Sequence, residues 1–404
     1  FQFKGKTGDA RTIAKELSAD YLLEGSVRRS GQQVHVMAQL IDASNGLQVW
    51  SNALDRDGTE VFGIRSEIAS AIAGRLNTKA PAVPKQTTDL ESYNWYLKGR
   101  YLWNRRTDVS IHSAIEAFQH AIDRDPSYAL AWSGMADAYC MLGFMNASPP
   151  KEARDRGVEA VKRALALDPN LAEAHVAQGN LLGIYDWNWD QALGSFRRAL
   201  ELNPNSAEAH YSYSKALATI GKIDEAIPEM QKAISLDPLA MIMQISLSWE
   251  LSVAGRKQES DAVYAAAEKL DPNFQWLSIL HSWKLEGDGH PAEAVKLLEA
   301  SVAKNDNPIA RGELGHAYGM TGNRAKAAEI ARDLEKRATK GYISPFDLSR
   351  AYEGAGQREK ALMAMERAAD ERSPMVVFLR EEPIFHEFLG EPRFHSLLHR
   401  LNLE

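Results

Sequence analysis

Several features are scarce in this 404-residue chain, and each absence excludes a class of protein. The chain contains one cysteine, Cys140, which excludes an intrachain disulfide and a cysteine-rich zinc site. It has no run of about 18 uncharged apolar residues, so the sequence predicts no membrane-inserted helix. It also lacks a glycine-rich loop ending in Lys-Ser/Thr and a Gly-x-Ser-x-Gly elbow, which are the motifs of phosphate-binding loops and of many serine hydrolases.

An excess of positive charge is absent as well. Lys and Arg number 47 against 54 Asp and Glu. Residues 1–88 hold 11 basic and 9 acidic residues, which leaves 36 and 45 for residues 89–404. Direct binding of nucleic acid requires clustered cations that displace phosphate counterions, and neither part has them. The sequence therefore predicts no direct contact with nucleic acid.

Two histidines have a spacing that zinc sites use. His395 and His399 are four residues apart, so a helix would place them on one face. No third ligand follows at a recognisable spacing, and an apolar stripe separates the two histidines. We interpret them as part of a helix surface and predict no metal site, no cofactor and no enzymatic activity.

A sequence phrase recurs through most of the chain and predicts its fold. Its copies are AIEAFQHAIDRDP, GVEAVKRALALDP, ALGSFRRALELNP, AIPEMQKAISLDP and SDAVYAAAEKLDP. The closing prolines are separated by 43, 35, 34 and 34 residues, and about nine extra residues, FMNASPPKE, account for the longest interval. A helix–turn–helix period of 34 residues resembles the tetratricopeptide-repeat (TPR) family.

The residue types within the phrase have physical roles. Small residues such as Ala192 and Ala226 lie where two helices cross, and bulky ones such as Phe118 and Phe196 fill the space one turn away. Each proline ends the second helix. Counting from these anchors gives eight units over residues 92–374, which are expected to form an elongated superhelical solenoid.

The last residues, 375–404, depart from the repeat. A terminal repeat leaves one apolar face uncovered, so a solenoid requires a capping element. Phe394, Leu397, Leu398 and Leu401 form the apolar stripe of a helix suited to cover the eighth unit.

The first 76 residues have a different pattern. Residues 11–18 and 60–76 are helix-like, and three strand-like runs lie at 20–28, 33–42 and 47–54. Ser30-Gly31 and Asn45-Gly46 lie between these runs and predict hairpin turns there. Residues 77–91 then read as a linker. The sequence predicts a mainly α protein with a small, incomplete α/β domain before the solenoid, and the free sheet edge offers a route to self-association.

The segment LSADYLLEGSVRRSGQQVHVMAQLIDASNGLQVW is similar to the second half of a TolB-amino-terminal-like α/β domain. With the repeats, it resembles the carboxyl-terminal region of bacterial signalling proteins in which a CadC-like winged helix, a kinase or a nucleotide cyclase lies upstream. The resemblance implies an input or interaction arm of a signalling or transcription-regulatory protein. The effector and the opening strands of the α/β domain are absent from this chain, so it implies neither DNA binding nor catalysis here.

One position in each repeat faces the concave groove of TPR proteins, and it predicts the binding residues. Trp249 and Trp283 lie at this position, either packed between neighbouring first helices or forming an aromatic stripe for an apolar peptide. The full candidate set is Asn180, Lys215, Trp249, Trp283, His316 and Arg350. Val176 lies where the carboxylate clamp of chaperone receptors has a lysine, so the sequence does not predict a receptor for chaperone tails.

Two functions remain open at this point. The first is a scaffold that binds a protein or peptide as the interaction arm of a bacterial regulator. The second is a free-standing TPR scaffold or assembly factor with no effector. The sequence favours a cytoplasmic location, and a periplasmic one if a transmembrane helix lies upstream.

Overall fold

The computed structural model describes residues 10–16, 19–31, 33–57, 61–77, 87–272, 274–380 and 382–404. The chain forms two compact units, Phe1–Asn94 and Trp95–Glu404. The boundary falls inside the helix Leu90–Asn104, just after the predicted 77–91 linker, most of which is outside the described residues.

The amino-terminal unit is a three-stranded antiparallel sheet with two helices. Helix α1 covers Ala10–Glu16, strands β1, β2 and β3 cover Tyr21–Ser30, Gln33–Asp42 and Gln48–Asp57, and helix α2 covers Val61–Arg75. The strand order is β1-β2-β3. The three strands and both helices that the sequence predicts are therefore present, with shifted ends, and the last residues of the predicted 11–18 helix lie outside the described residues.

Only part of the sheet's apolar face is covered. Val34, Ala38 and Leu40 of β2 are buried. Their neighbours on β1 share that face, yet Leu23 is 54% and Val27 is 70% exposed. Among the described residues, no strand pairs with the outer edge of β1 or of β3.

The second unit consists of eight helix pairs, which we number as repeats 1 to 8. The pairs are α3 (Leu90–Asn104) with α4 (Asp108–Arg124), α5 (Ala129–Phe144) with α6 (Pro150–Leu167), α7 (Ala172–Ile184) with α8 (Trp189–Leu202), α9 (Ala207–Thr219) with α10 (Ile223–Leu236), α11 (Met241–Val253) with α12 (Lys257–Leu270), α13 (Gln275–Gly287) with α14 (Pro291–Lys304), α15 (Pro308–Met320) with α16 (Arg324–Ala338), and α17 (Pro345–Gly354) with α18 (Arg358–Asp370). This arrangement confirms the predicted mainly α solenoid with eight repeats.

The repeat period is visible in the backbone of the turns. Gly221, Gly255, Gly289, Gly322 and Gly356 follow the first helices of repeats 4 to 8 and all have positive φ angles. The residue after each glycine donates its amide to a carbonyl in the last turn of the preceding helix, as in a Schellman motif. Glycine adopts this left-handed conformation without the steric cost of a Cβ atom.

Small residues allow the helices to approach closely. Ala192, Ala199, Ala226 and Ala233 are fully buried. A Cβ atom added at Gly179 would lie 2.5 Å from the ring of Phe196 in the paired helix. The sequence rule of small residues opposite large ones is thus what sets the distance between helices.

The solenoid winds back on itself. Asn146 of repeat 2 donates a hydrogen bond of 2.9 Å to Asp347 of repeat 8. Arg372 donates to the Tyr185 carbonyl at 2.8 Å, and the Trp189 indole donates to the Leu401 carbonyl at 2.9 Å. The repeats therefore curve enough to bring residues about 200 positions apart in sequence into contact, which the expectation of an elongated solenoid did not include.

The C-terminal segment, residues 374–404, completes this closure. It contains two 3-10 helices, Pro374–Phe378 and Pro383–Gly390, followed by α19 (Pro392–Arg400). Helix α19 packs on α18, as a cap on the eighth repeat does, and its predicted apolar stripe is buried. The first 3-10 helix instead contacts α5, α7 and α18, so the segment also enters the inside of the solenoid.

Candidate binding groove and inner cavity

The six predicted groove residues lie one on each first helix of repeats 3 to 8. Their order along the inner face is Asn180, Lys215, Trp249, Trp283, His316 and Arg350. The structure thus places the whole set on one surface, but it covers most of that surface with the chain's own residues. Trp249, Trp283, His316 and Arg350 are all less than 5% exposed.

The two tryptophans form an aromatic row with a residue of the C-terminal segment. The rings of Trp249 and Trp283 are 5.6 Å apart with an edge-to-face geometry. The ring of Phe378 lies 5.6 Å from that of Trp283. Aromatic contacts of this geometry stabilise the packing of both partners. Trp249 and Trp283 thus pack against each other between neighbouring first helices, and Phe378 packs on Trp283.

His316 is held between two carboxylates. Its Nδ1 lies 3.1 Å from Glu286 and its Nε2 lies 3.0 Å from Glu353. Burial opposes the charged imidazole, but Glu286 and Glu353 outweigh it and raise the pKa of His316 to about 10. The imidazolium therefore serves as a fixed cation inside repeats 6 to 8.

Arg350 ties the C-terminal segment to the repeats. Its Nε lies 3.0 Å from Glu313 and 3.2 Å from Glu382, and Nη1 lies 3.7 Å from Asp347. All four side chains are fully buried. Burial raises the pKa of Glu313 and of Asp347 to about 7, and that of Glu382 to about 8, although Arg350 favours their charged forms.

An inner cavity of about 150 Å³ remains beside Phe378. Its walls are mainly apolar, and eight aromatic side chains contribute to them. These are Trp103, Phe144, Trp189, Phe196, Tyr211, Trp276, Trp283 and Phe378. Asn180 and Lys215 also line the cavity, with the Lys215 ammonium 5.7 Å from the centre of the Phe378 ring. Three of the six predicted residues, Asn180, Lys215 and Trp283, therefore line this inner cavity.

A wider depression of about 940 Å³ adjoins the inner cavity, and we call it the mouth. It lies between the turn that joins α3 to α4 and the turns that begin repeats 5, 6 and 7. Arg106, Glu208 and Ile242 line both spaces. The mouth carries exposed apolar side chains such as Leu239, which is 39% exposed, beside polar ones such as Asn305.

Sequence reasoning missed two contributors to this site. Phe378 is outside the repeats, so the repeat alignment assigned it no position in the groove. Asp137 lies on the inner side of α5 and pairs with Arg100 at 3.1 Å, and burial raises its pKa to about 7. A phenylalanine in the apolar run PMVVF and an aspartate within the apolar helix ALAWSGMADAYC were the available signals.

The other residues that attracted attention in the sequence have structural surroundings. His395 Nε2 lies 2.6 Å from the Leu389 carbonyl within the cap. Cys140 is buried, and burial raises the pKa of its thiol. Within the described ranges, no cluster of three potential metal-ligating side chains occurs. Over those same residues, no helix combines the length and apolarity that crossing a membrane requires.

The family comparison agrees with this geometry. Residues 188–240 match the tetratricopeptide repeat model. They cover the second helix of repeat 3 and both helices of repeat 4. The second unit is a helical solenoid of TPR-like helix pairs. The matched segment, the glycine period and the eight helix pairs agree on this fold.

Similar proteins include a curated relative and solved TPR structures. "Putative adenylate cyclase 3" of Rhizobium meliloti (strain 1021) is 28% identical over 152 residues, which are 36% of this chain and 26% of that protein. The chain thus matches about a quarter of the relative's length. A thermophilic TPR protein of Thermus thermophilus is 20% identical, with 48% of this chain and 98% of that chain covered and a TM-score of 0.41. Yeast Tom70 is 15% identical, with 84% and 74% covered and a TM-score of 0.46.

Proposed function

We propose that this TPR protein is an interaction scaffold that binds a segment of a partner protein at the mouth. The observation that carries the proposal is the open mouth of about 940 Å³ beside an aromatic row that Phe378 covers. Displacing the C-terminal segment would expose Met375, Val376 and Phe378, and each buried apolar side chain of this size contributes about 2 kcal/mol. A partner therefore binds at the mouth more readily than in the aromatic row.

The mouth has the composition of a recognition surface. Leu239, Met241 and Phe274 offer apolar contacts, and Arg105 and Lys304 stand beside them with Glu268 and Asp271. A partner segment with apolar residues and charges of both signs would complement such a surface. Asn180, Lys215 and Trp283 would then contact only a group that passes beyond the mouth.

A photocrosslinking experiment in the source organism tests this assignment. A benzophenone amino acid at Leu239 should capture a partner, whereas the same residue at Met363, which is 55% exposed on α18, should not. Leu239→Asp should weaken partner binding by about tenfold or more, and Met363→Asp should leave it unchanged. Equal crosslinking at the two positions would contradict a role for the mouth.

We further propose that the scaffold is the interaction arm of a bacterial signalling protein. Support comes from the curated relative, whose name is that of a signalling enzyme and of which this chain matches 26%. The alternative is a free-standing scaffold that uses the same mouth. The coding sequence upstream of Phe1 distinguishes the two, because an effector domain there supports the arm and a stop codon or signal peptide supports the free scaffold.

A further inference from the structure

The inner cavity differs from the mouth in size and in chemistry, and this difference suggests a second ligand. Its volume is about 150 Å³. An apolar cavity of about that volume in another protein stays free of water and binds benzene. A single aromatic ring therefore fits, while a peptide backbone with its polar groups does not.

The lining also has two ends. Aromatic and aliphatic side chains, including Trp276, Leu280 and Phe378, form most of the walls. Arg106 and Glu208 line the end that adjoins the mouth, and Asn180 adds an amide. A ligand with an apolar ring and one small polar substituent would place the ring among the aromatic walls and the substituent towards these groups.

Charge on the ligand is disfavoured by the same lining. The lining contains cations (Arg106 and Lys215) and acids (Asp137 and Glu208) together. Because both signs are present, the lining offers a charged ligand no net attraction to offset the hydration that it would lose on entering apolar walls. The cavity favours a neutral molecule.

From this geometry we propose that the inner cavity is a binding site for a small neutral aromatic molecule of one ring with one hydroxyl or amine-type substituent. The walls come from the inner faces of repeats 1 to 6 and from Met375, Val377 and Phe378 of the C-terminal segment. A bound ring contacts both, so binding strengthens the attachment of that segment to the repeats. The site shares Arg106, Glu208 and Ile242 with the partner-binding mouth but otherwise has its own lining, and a ligand would enter through the mouth.

p-Cresol is a suitable probe for titration calorimetry and thermal unfolding of the full chain. We expect saturable 1:1 binding, and at a hundred times the dissociation constant the midpoint of unfolding should rise by about 4 °C. Hydrogen exchange of residues 374–378 should slow in the complex. The charged analogue 4-methylbenzoate should bind about tenfold more weakly or not at all.

Two substitutions fill the cavity from different helices. Ala216→Leu on α9 and Ser246→Leu on α11 each place a branched side chain into the space, and each should weaken p-cresol binding by about tenfold or more. Ala325→Leu, at an exposed position of α16, is the matched control and should bind as the natural chain does. If one filled variant fails to fold, the other decides the result.

The proposal is overturned if p-cresol shows no saturable binding, or if a folded cavity-filled variant binds it as well as the control does. Its failure is distinguishable from failure of the proposed partner site. Crosslinking at Leu239 reports on the mouth and requires no aromatic ligand.

Discussion

The substitution Phe378→Ala tests whether the C-terminal segment occupies the TPR groove. Phe378 is 7% exposed, and its ring lies 5.6 Å from that of Trp283 and 6.2 Å from that of Phe144. Truncating a buried phenylalanine to alanine costs about 4 kcal/mol, because apolar burial is lost and a cavity remains. The two aromatic contacts account for about 1 kcal/mol each.

Thermal unfolding converts this free energy into a measurable shift. The unit from Trp95 to Glu404 has about 300 residues, and unfolding entropy is about 2 cal/mol/K per residue, so we expect the midpoint to fall by about 6 °C. Because repeat arrays can unfold in parts, hydrogen exchange should accompany the scan. We expect faster exchange in residues 374–380 and in the end of α5, where Phe144 lies.

Met363→Ala is the matched control. Met363 is 55% exposed on α18, so its truncation should change stability by less than about 0.5 kcal/mol. If Phe378→Ala costs less than about 1 kcal/mol, or if exchange at residues 374–380 is already fast in the natural chain, the ring does not pack in the groove. The assignment of the mouth as the partner site would then lose its main argument.

Three further predictions concern other parts of the molecule. Burial raises the pKa of Glu382 to about 8, against an ordinary value near 4.5. The stability that its protonated form contributes is therefore complete below pH 4.5 and is lost as pH rises towards 8. Glu382→Gln should flatten that part of the pH–stability curve, and an unchanged slope would place the carboxyl in water. Gly255 has a φ of +74° with open space around an added Cβ, so Gly255→Ala should lower the free energy of unfolding in urea by about 1 kcal/mol. Gly194 also has open space around an added Cβ but lies inside α8, so Gly194→Ala should raise that free energy by about 0.5 kcal/mol. Equal effects of the two substitutions would contradict the backbone explanation. No strand within the described residues pairs with the outer edges of β1 and β3, which predicts concentration-dependent self-association in sedimentation experiments. A chain beginning at Asp89 should lose this association, and equal monomeric behaviour of the two chains would refute the prediction.

The sequence by itself determined the local architecture of this protein. Helix pairs, their turns and their count follow from the spacing of prolines, small residues and glycines, because each of these acts within one turn or between adjacent helices. The strands of the first unit were predictable for the same reason, since alternation and hairpin turns are local. The inner-face positions Asn180 to Arg350 also followed from counting within the repeat.

Tertiary structure alone decided what those inner-face positions contact. Each repeat adds a small rotation to the next, and the sum of these rotations brings repeat 2 against repeat 8, a result that no single repeat encodes. The curvature of the repeats encloses the inner cavity and brings Trp283 against Phe378 of the same chain instead of solvent. Whether a groove is open depends on contacts between residues some 200 positions apart, such as Asn146 with Asp347, and local sequence patterns do not determine contacts at that distance.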